Sequence, residues 1–182
     1  GAVLAMTENY EGKEVFRRGV HAYLEAHMYG NATAQDFWNA QTKISGKPID
    51  RVMSSFITEP GVPLLQFSAP EKGSTTVSQQ RFFLDPETHA DKAQTWAVPI
   101  CFKTGGDPKC ELLSSSQQRL SVPSASVFYA NANDRGYSRT EYDAADSNRI
   151  LSTAETNLTA PERIGFAGNQ WALMRSGRSS IV

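Results

Sequence analysis

Apolar residues recur at helical spacing through the first third of the chain and at strand spacing through its middle. Val15, Phe16, Gly19, Val20, Tyr23 and Leu24 fall on one stripe, with Arg17, Arg18 and Glu25 on the opposite face. Gly30 and Asn31 follow, where a left-handed cap is expected. Thr33 opens a second predicted helix, with Asp36 three residues on as in a capping box; its apolar face is Phe37, Trp38, Ala40, Gln41 and Ile44, and Gly46 ends it. Pro48 suits the first turn of a third helix carrying Ile49, Val52, Met53 and Phe56, which Pro60-Gly61-Val62-Pro63 stops.

From Leu64 the pattern changes. Leu64–Ser68, Thr75–Phe83, Thr95–Lys103, Cys110–Ser114 and Ser126–Ala130 are short β-prone runs between turn-forming clusters, the spacing of an antiparallel sandwich. Trp96, Val98, Ile100 and Phe102 alternate with Ala97, Pro99, Cys101 and Lys103, which predicts a half-buried strand, with Pro99 pushing it toward an edge or bulge. Helical period returns after Tyr137. Ile150 and Leu151 sit in one predicted helix, and Thr159-Ala-Pro-Glu162 starts another whose inward face is expected to be Ile164, Ala167, Trp171 and Met174.

Composition narrows the function. The chain has 182 residues, 40% hydrophobic, enough for a buried core and against a disordered chain. A net charge of -1, from 18 basic and 19 acidic residues, argues against nucleic acid or an anionic membrane as the main partner. No apolar run approaches the ~20 residues of a membrane-spanning helix. Gly1–Met6 has neither a basic signal region nor a cap and reads as a helix in progress, while the far end stops on the apolar pair Ile181-Val182; an excised segment is the expectation.

Candidate chemistry is sparse. His21 and His27 lie six residues apart, so on a helix they point in different directions, and H-A-Y-L-E-A-H does not supply the i, i+4 histidines of a zinc helix. His89 sits in a Pro-Glu-Thr-His loop without a second ligand nearby. The sequence contains no H-E-x-x-H, G-x-S-x-G, Walker A or G-x-G-x-x-G motif, and Gly105-Gly106 reads as a turn. Glu111, Glu141, Asp143 and Asp146 are expected on solvated strand ends and loops. Asn31-Ala-Thr33 and Asn157-Leu-Thr159 match the glycosylation acceptor pattern, and each also reads as a helix entry capped by Thr. No catalytic or metal-binding residue is assigned, and substrate-binding residues stay open.

The two cysteines allow one sharper expectation. With Gly105 and Gly106 as the loop of a hairpin, Cys101 stands directly opposite Cys110 in a non-hydrogen-bonded pair, within reach of a disulfide. The other reading is two free thiols. A disulfide implies an oxidising setting, periplasmic or extracellular.

The long ungapped string Phe16-Arg-Arg-Gly-Val-His-Ala-Tyr-Leu-Glu-Ala-His-Met-Tyr-Gly-Asn-Ala-Thr33, with Gly1-Ala-Val-Leu-Ala-Met6 before it, resembles the zinc aminopeptidases of the alanyl aminopeptidase (aminopeptidase N) family. Asp36-Phe-Trp38, Ser45-Gly-Lys-Pro48 and Glu59-Pro-Gly-Val-Pro63 continue the resemblance. Gln80–Phe83 and Trp96–Ile100 resemble strands of that family's small β-sandwich, and Arg163 through Gly177 the start of its helical C-terminal domain. The resemblance implies that 1–62 closes a thermolysin-like catalytic domain, 63–143 is a β-sandwich and 144–182 begins the helical domain. The fold class expected is therefore an α+β composite: N-terminal helices, a central antiparallel β-sandwich and C-terminal helices. The family's H-E-x-x-H motif, glutamate ligand, G-x-M-E-N-type loop and transition-state-stabilising tyrosine would all precede Gly1. This implies a non-catalytic segment without a cofactor of its own, in a parent enzyme that uses zinc to release N-terminal residues from peptides. Its partners would be the parent's remaining domains, with self-association through exposed apolar residues such as Val3, Leu4 and Phe16. The alternatives are a stand-alone β-sandwich module binding a peptide or protein, and, weaker, a hydrolase built on His21 or His27.

Overall fold

The computed structural model describes residues 1–88, 93–122 and 127–179. Four helices come first: α1 (Ala2–Glu11), α2 (Lys13–Ala26), α3 (Ala34–Ser45) and α4 (Ile49–Thr58). The capping box that starts α3 forms as expected. Thr33 Oγ1 accepts the Asp36 N–H at 3.2 Å, and the Asp36 carboxylate accepts the Thr33 N–H at 2.8 Å. Gly46, at φ 68°, closes the same helix. After α2 the left-handed residue is Tyr29, at φ 61°, and not Gly30 or Asn31.

The stripe expected to bury α2 is only partly covered. Gly19 alone is buried, while Val15, Phe16, Val20 and Tyr23 are half-buried and Leu24 is exposed. The cause is that α2 packs mainly on one neighbour, α3, which covers a single narrow strip. Along it Gly19 approaches Gln41 so closely that an added Cβ would lie 1.8 Å from Gln41 Oε1. Edge-on contacts of Phe37 with Phe16 and Tyr23, at 6.3 and 5.3 Å, flank that crossing. Of the four apolar residues its pattern predicts inward, helix α4 buries Ile49, Val52 and Met53, while Phe56 is half-buried.

Six strands follow: β1 (Pro63–Phe67), β2 (Ser74–Arg81), β3 (Val98–Phe102), β4 (Lys109–Leu113), β5 (Gln117–Ser121) and β6 (Arg139–Tyr142). They form a four-stranded sheet in the order β5-β2-β1-β6 and a two-stranded sheet β3-β4. The α+β composite is thus the observed fold class, with one departure from the antiparallel pattern: β6 lies parallel to β1, Leu65 opposite Thr140. The long stretch of chain between these strands supplies the crossover that parallel pairing needs.

Strand β3 is buried along its whole length, not half-buried. One face, with Trp96 ahead of it, joins the main core through Val98, Ile100 and Phe102. On the other side Ala97 packs on Met6 of α1 and Val52 of α4. Pro99 is tolerated because Cys101 and Cys110, with Cα atoms 4.0 Å apart, form a non-hydrogen-bonded pair, and Pro99 opposite Leu112 is the next of the same kind. The expected run Ser126–Ala130 is not a strand. Tyr129 makes a single bridge to Lys103, and Ser126 lies outside the described residues.

The main core is rich in aromatic contacts. Phe67 stacks on Tyr142 at 5.4 Å and meets Phe128 edge-on at 5.2 Å, and Phe102 and Phe166 close the cluster. The last helices are α5 (Ala144–Ser152), α6 (Ala154–Asn157) and α7 (Ala160–Arg175). Helix α7 faces the opposite way from expectation. Glu162, Phe166, Asn169, Ala172 and Leu173 point inward, while Ile164 and Trp171 are 72% and 60% exposed.

Candidate functional site

The most heavily built polar arrangement lies where α7 enters the fold. Thr159 and Glu162 form the capping box that the sequence predicts, the Glu162 carboxylate accepting the Thr159 N–H at 2.7 Å. That carboxylate is 1% exposed and serves two further donors: Lys103 Nζ, from the end of β3, at 2.5 Å and the Asn133 N–H at 2.9 Å. Burial pushes the Glu162 pKa up, but the Lys103 ammonium and the backbone N–H groups outweigh it and hold it below the usual glutamate value. Tyr129 donates to the Glu162 carbonyl at 3.0 Å, and burial raises its phenol, keeping it a donor.

The segment facing α7 is shaped to reach it. Asn133 and Asp134 both adopt positive φ, 66° and 52°, and Asn131 ties the bend through bonds to the Gly136 N–H and Asp134 Oδ1. Gly165 leaves room for Asp134, since a Cβ there would lie 2.0 Å from Asp134 Oδ1. Asn133 Nδ2 also donates to Asn9 Oδ1 of α1 at 3.1 Å. One turn further along α7, Asn169 donates to Thr140 Oγ1 at 2.9 Å and accepts from Arg139 at 3.3 Å, both on β6. One hydrogen-bond network therefore joins α1, Lys103 after β3 and α7 through Glu162, and separate Asn169 contacts tie α7 to β6. The capping signature marks Glu162 in the sequence; nothing local marks Lys103 or Asn133 as its partners.

A cleft of about 630 Å³ opens between the ends of β1 and β2, Phe82 to Thr88, and Ser176 to Arg178. Its charged groups are mostly engaged by one another or by the backbone. Arg178 grips Glu141 with contacts of 2.9 and 3.2 Å, and Asp85 accepts from the Glu87 N–H and the Thr88 hydroxyl. Arg81 lies over the Phe83 ring at 4.7 Å. Gln79 spends its amide on the Trp96 backbone and the Ser115 carbonyl.

The residues weighed for chemistry are dispersed. His21 meets Glu25 at 3.3 Å on the open face of α2, and the His27 ring lies against Tyr23. His89 lies outside the described residues. Glu111 accepts from Gln118, and Asp143 caps α5 through the N–H groups of Ala145 and Asp146. Asp146 is not solvated as expected but 5% exposed, because the α5 cap draws it inward; burial and the neighbouring Asp143 raise it to about 6. Asn31 and Asn157, of the two acceptor patterns, are exposed. Cys101 and Cys110 are brought together, with an S–S distance of 2.04 Å, and Cys110 packs toward Tyr10, Ile49 and Met53 of the helices. Among the described residues no three His, Cys, Asp or Glu side chains are placed to hold a metal ion. These residues do not fit the zinc that the resemblance implies for the parent, so no chemical step is routed through it.

Residues 1–56 match the peptidase family M1 domain. Along nearly its whole length the chain is similar to proteins named as aminopeptidases or as a tricorn protease-interacting factor. It is 32% identical over 181 residues, 99% of the chain, to tricorn protease-interacting factor F2 of Thermoplasma acidophilum. It is 31% identical over 97% of its length to glutamyl aminopeptidase of Bitis rhinoceros, and 27% identical over 99% to aminopeptidase N of Lactococcus lactis subsp. lactis. The chain spans about a fifth of these relatives, 22%, 20% and 21% of their respective lengths.

Proposed function

We propose that this chain is a non-catalytic scaffold within a zinc-dependent aminopeptidase, fixing the angle at which the helices beginning with α7 meet the region that carries the chemistry. The observation behind this reading is the Glu162 network, which ties α7 to the strands through Lys103 and to α1 through Asn133 and Asn9. A buried carboxylate with three donors has little freedom to shift, so it sets a direction as well as a distance. On this reading the parent's zinc, its activated water and its peptide substrate are held by residues outside this chain. The division at 1–62, 63–143 and 144–182 belongs to the same proposal. So does a periplasmic or extracellular setting, which the joined Cys101 and Cys110 support and which the absence of alkylatable thiols in freshly isolated protein would test.

The deciding experiment is aminoacyl-p-nitroanilide turnover by the purified chain with and without added Zn²⁺. No turnover is expected in either condition. Zinc-dependent turnover that persists through further purification would overturn the scaffold reading.

A further inference from the structure

The network at α7 leaves a second buried glutamate unused. Glu11 closes α1, is 7% exposed, and has both carboxylate oxygens hidden from solvent without a hydrogen-bond partner. An ionised carboxylate in that position is penalised twice: it has lost its water, and it sits at the negative end of a helix dipole. The cation best placed to compensate is engaged elsewhere. Lys47, in the turn between α3 and α4, donates to the Tyr10 carbonyl and lies over the Tyr10 ring at 4.2 Å.

The other charges around this corner do not replace it. On α1 itself Glu8 is half-buried, and on α2 Lys13, Glu14, Arg17 and Arg18 are exposed, Glu14 being paired with Arg17. On α4 Asp50 is held by the Thr42 hydroxyl, and Arg51 donates to the Ser114 carbonyl. On β4 Lys109 is exposed and Glu111 accepts from Gln118. Lys47 is the charge that bears on Glu11.

We propose that Glu11 is a proton-operated latch: neutral, it keeps the end of α1 closed against the turn between α3 and α4, and ionised, it opens that contact. Opening takes one of two forms with the same outcome. Either the carboxylate draws Lys47 off the Tyr10 carbonyl, or it swings into water about Gly12, which already stands at φ 94° between α1 and α2.

The sign follows from the environment. Burial raises Glu11 from the ordinary 4.5 to about 7, with Lys47 pulling it partly back. A group raised on folding contributes its full stability below its unfolded value and loses it as pH climbs through its folded value. The latch is therefore closed in mild acid and open above neutrality.

The test reads the carboxyl carbon of Glu11 by NMR, together with amide exchange protection over the last turn of α1, from about pH 4 to about pH 9. It uses the full chain, Glu11→Gln and Lys47→Met. In the unmodified chain the Glu11 midpoint is expected near 7. Protection at Tyr10 and Glu11 should fall roughly tenfold per pH unit through the window and then level. Glu11→Gln should hold its acid-level protection at every pH, and Lys47→Met should move the Glu11 midpoint upward. A midpoint in the ordinary glutamate range overturns the latch, as does the same pH profile with and without Glu11. Should Glu11→Gln not fold, the midpoint in the unmodified chain decides.

Discussion

Two buried glutamates summarise how differently the two ends of this molecule are held. Glu162 has three donors around its carboxylate and sits beside a core in which Phe102, Phe128, Phe67, Tyr142 and Phe166 touch in that order. Glu11 has no donor, and the helices around it bury only small clusters: Met6 and Val52 with Ala97, and Tyr10 with Ile49 and Met53. Burial is nearly the same at both sites. Satisfaction is not, and it turns the pKa shift of one downward and of the other upward. The two ends therefore answer pH in opposite senses. Glu162 contributes stability above its unfolded value and loses it as pH falls through its depressed folded value, whereas the Glu11 corner loses stability as pH rises.

The largest effect that could break this contrast comes from Glu162→Ala. It strips Lys103, whose side chain is 16% exposed, of its partner and orphans the Thr159 and Asn133 N–H groups. Breaking a buried pair on one side costs about 3–5 kcal/mol. Urea unfolding should show that loss, and the amides of α7 should lose protection before those of β1 and β2. A loss below about 1 kcal/mol would mean that the network does not hold α7.

A smaller change probes the helical end. Gly19→Ala puts a methyl where Gln41 Oε1 now lies, and Gln41 is wholly buried. The helices must part or Gln41 must turn, at about 1–3 kcal/mol. Because Gln41 Oε1 has no partner where it stands, the double variant Gly19→Ala with Gln41→Ala should regain part of the loss. Differential exchange should confine the effect to α2 and α3. An additive loss in the double variant would show that the 1.8 Å approach is not what fixes their spacing.

What was legible in the sequence was what is local. Both capping boxes form, because Thr33 with Asp36 and Thr159 with Glu162 need only three residues of chain to find each other. The register of the β3–β4 hairpin follows from its two-glycine loop, and the family resemblance is carried mostly by the run before Pro63, which includes the matched residues 1–56. What could not be read depends on partners distant in sequence. Gln117–Ser121 and Arg139–Tyr142 are polar, and become strands only because β2 and β1 offer them edges. Strand β3 alternates as a half-buried strand should, yet α1 and α4 cover its second side. The most apolar stripe of α7 predicts Ile164 and Trp171 inward, whereas the fold turns Glu162 and Asn169 inward because Lys103 and Thr140 meet them there.

That inversion supports the smallest prediction, and the one that best separates a packed face from an open one. Ile164 and Trp171 lie a helical half-turn away from the buried Phe166 and Leu173, and are more exposed than Leu4 at 39% or the half-buried Val3 and Phe16, the residues expected to carry self-association. Self-association of the free chain is therefore expected through this outer face of α7. A large apolar side chain in water contributes little to folding, so Ile164→Ser with Trp171→Ser should change unfolding stability by no more than about 0.5 kcal/mol. The same substitutions remove the two most exposed large apolar side chains of α7 and should weaken self-association in concentration-dependent sedimentation. A stability loss above about 1 kcal/mol would place the outer face in the packed structure after all. Unchanged association would move the contact to other exposed apolar residues, such as Leu24 in α2, Met28 and Tyr29 just after it, or Ile57 and Leu151 elsewhere.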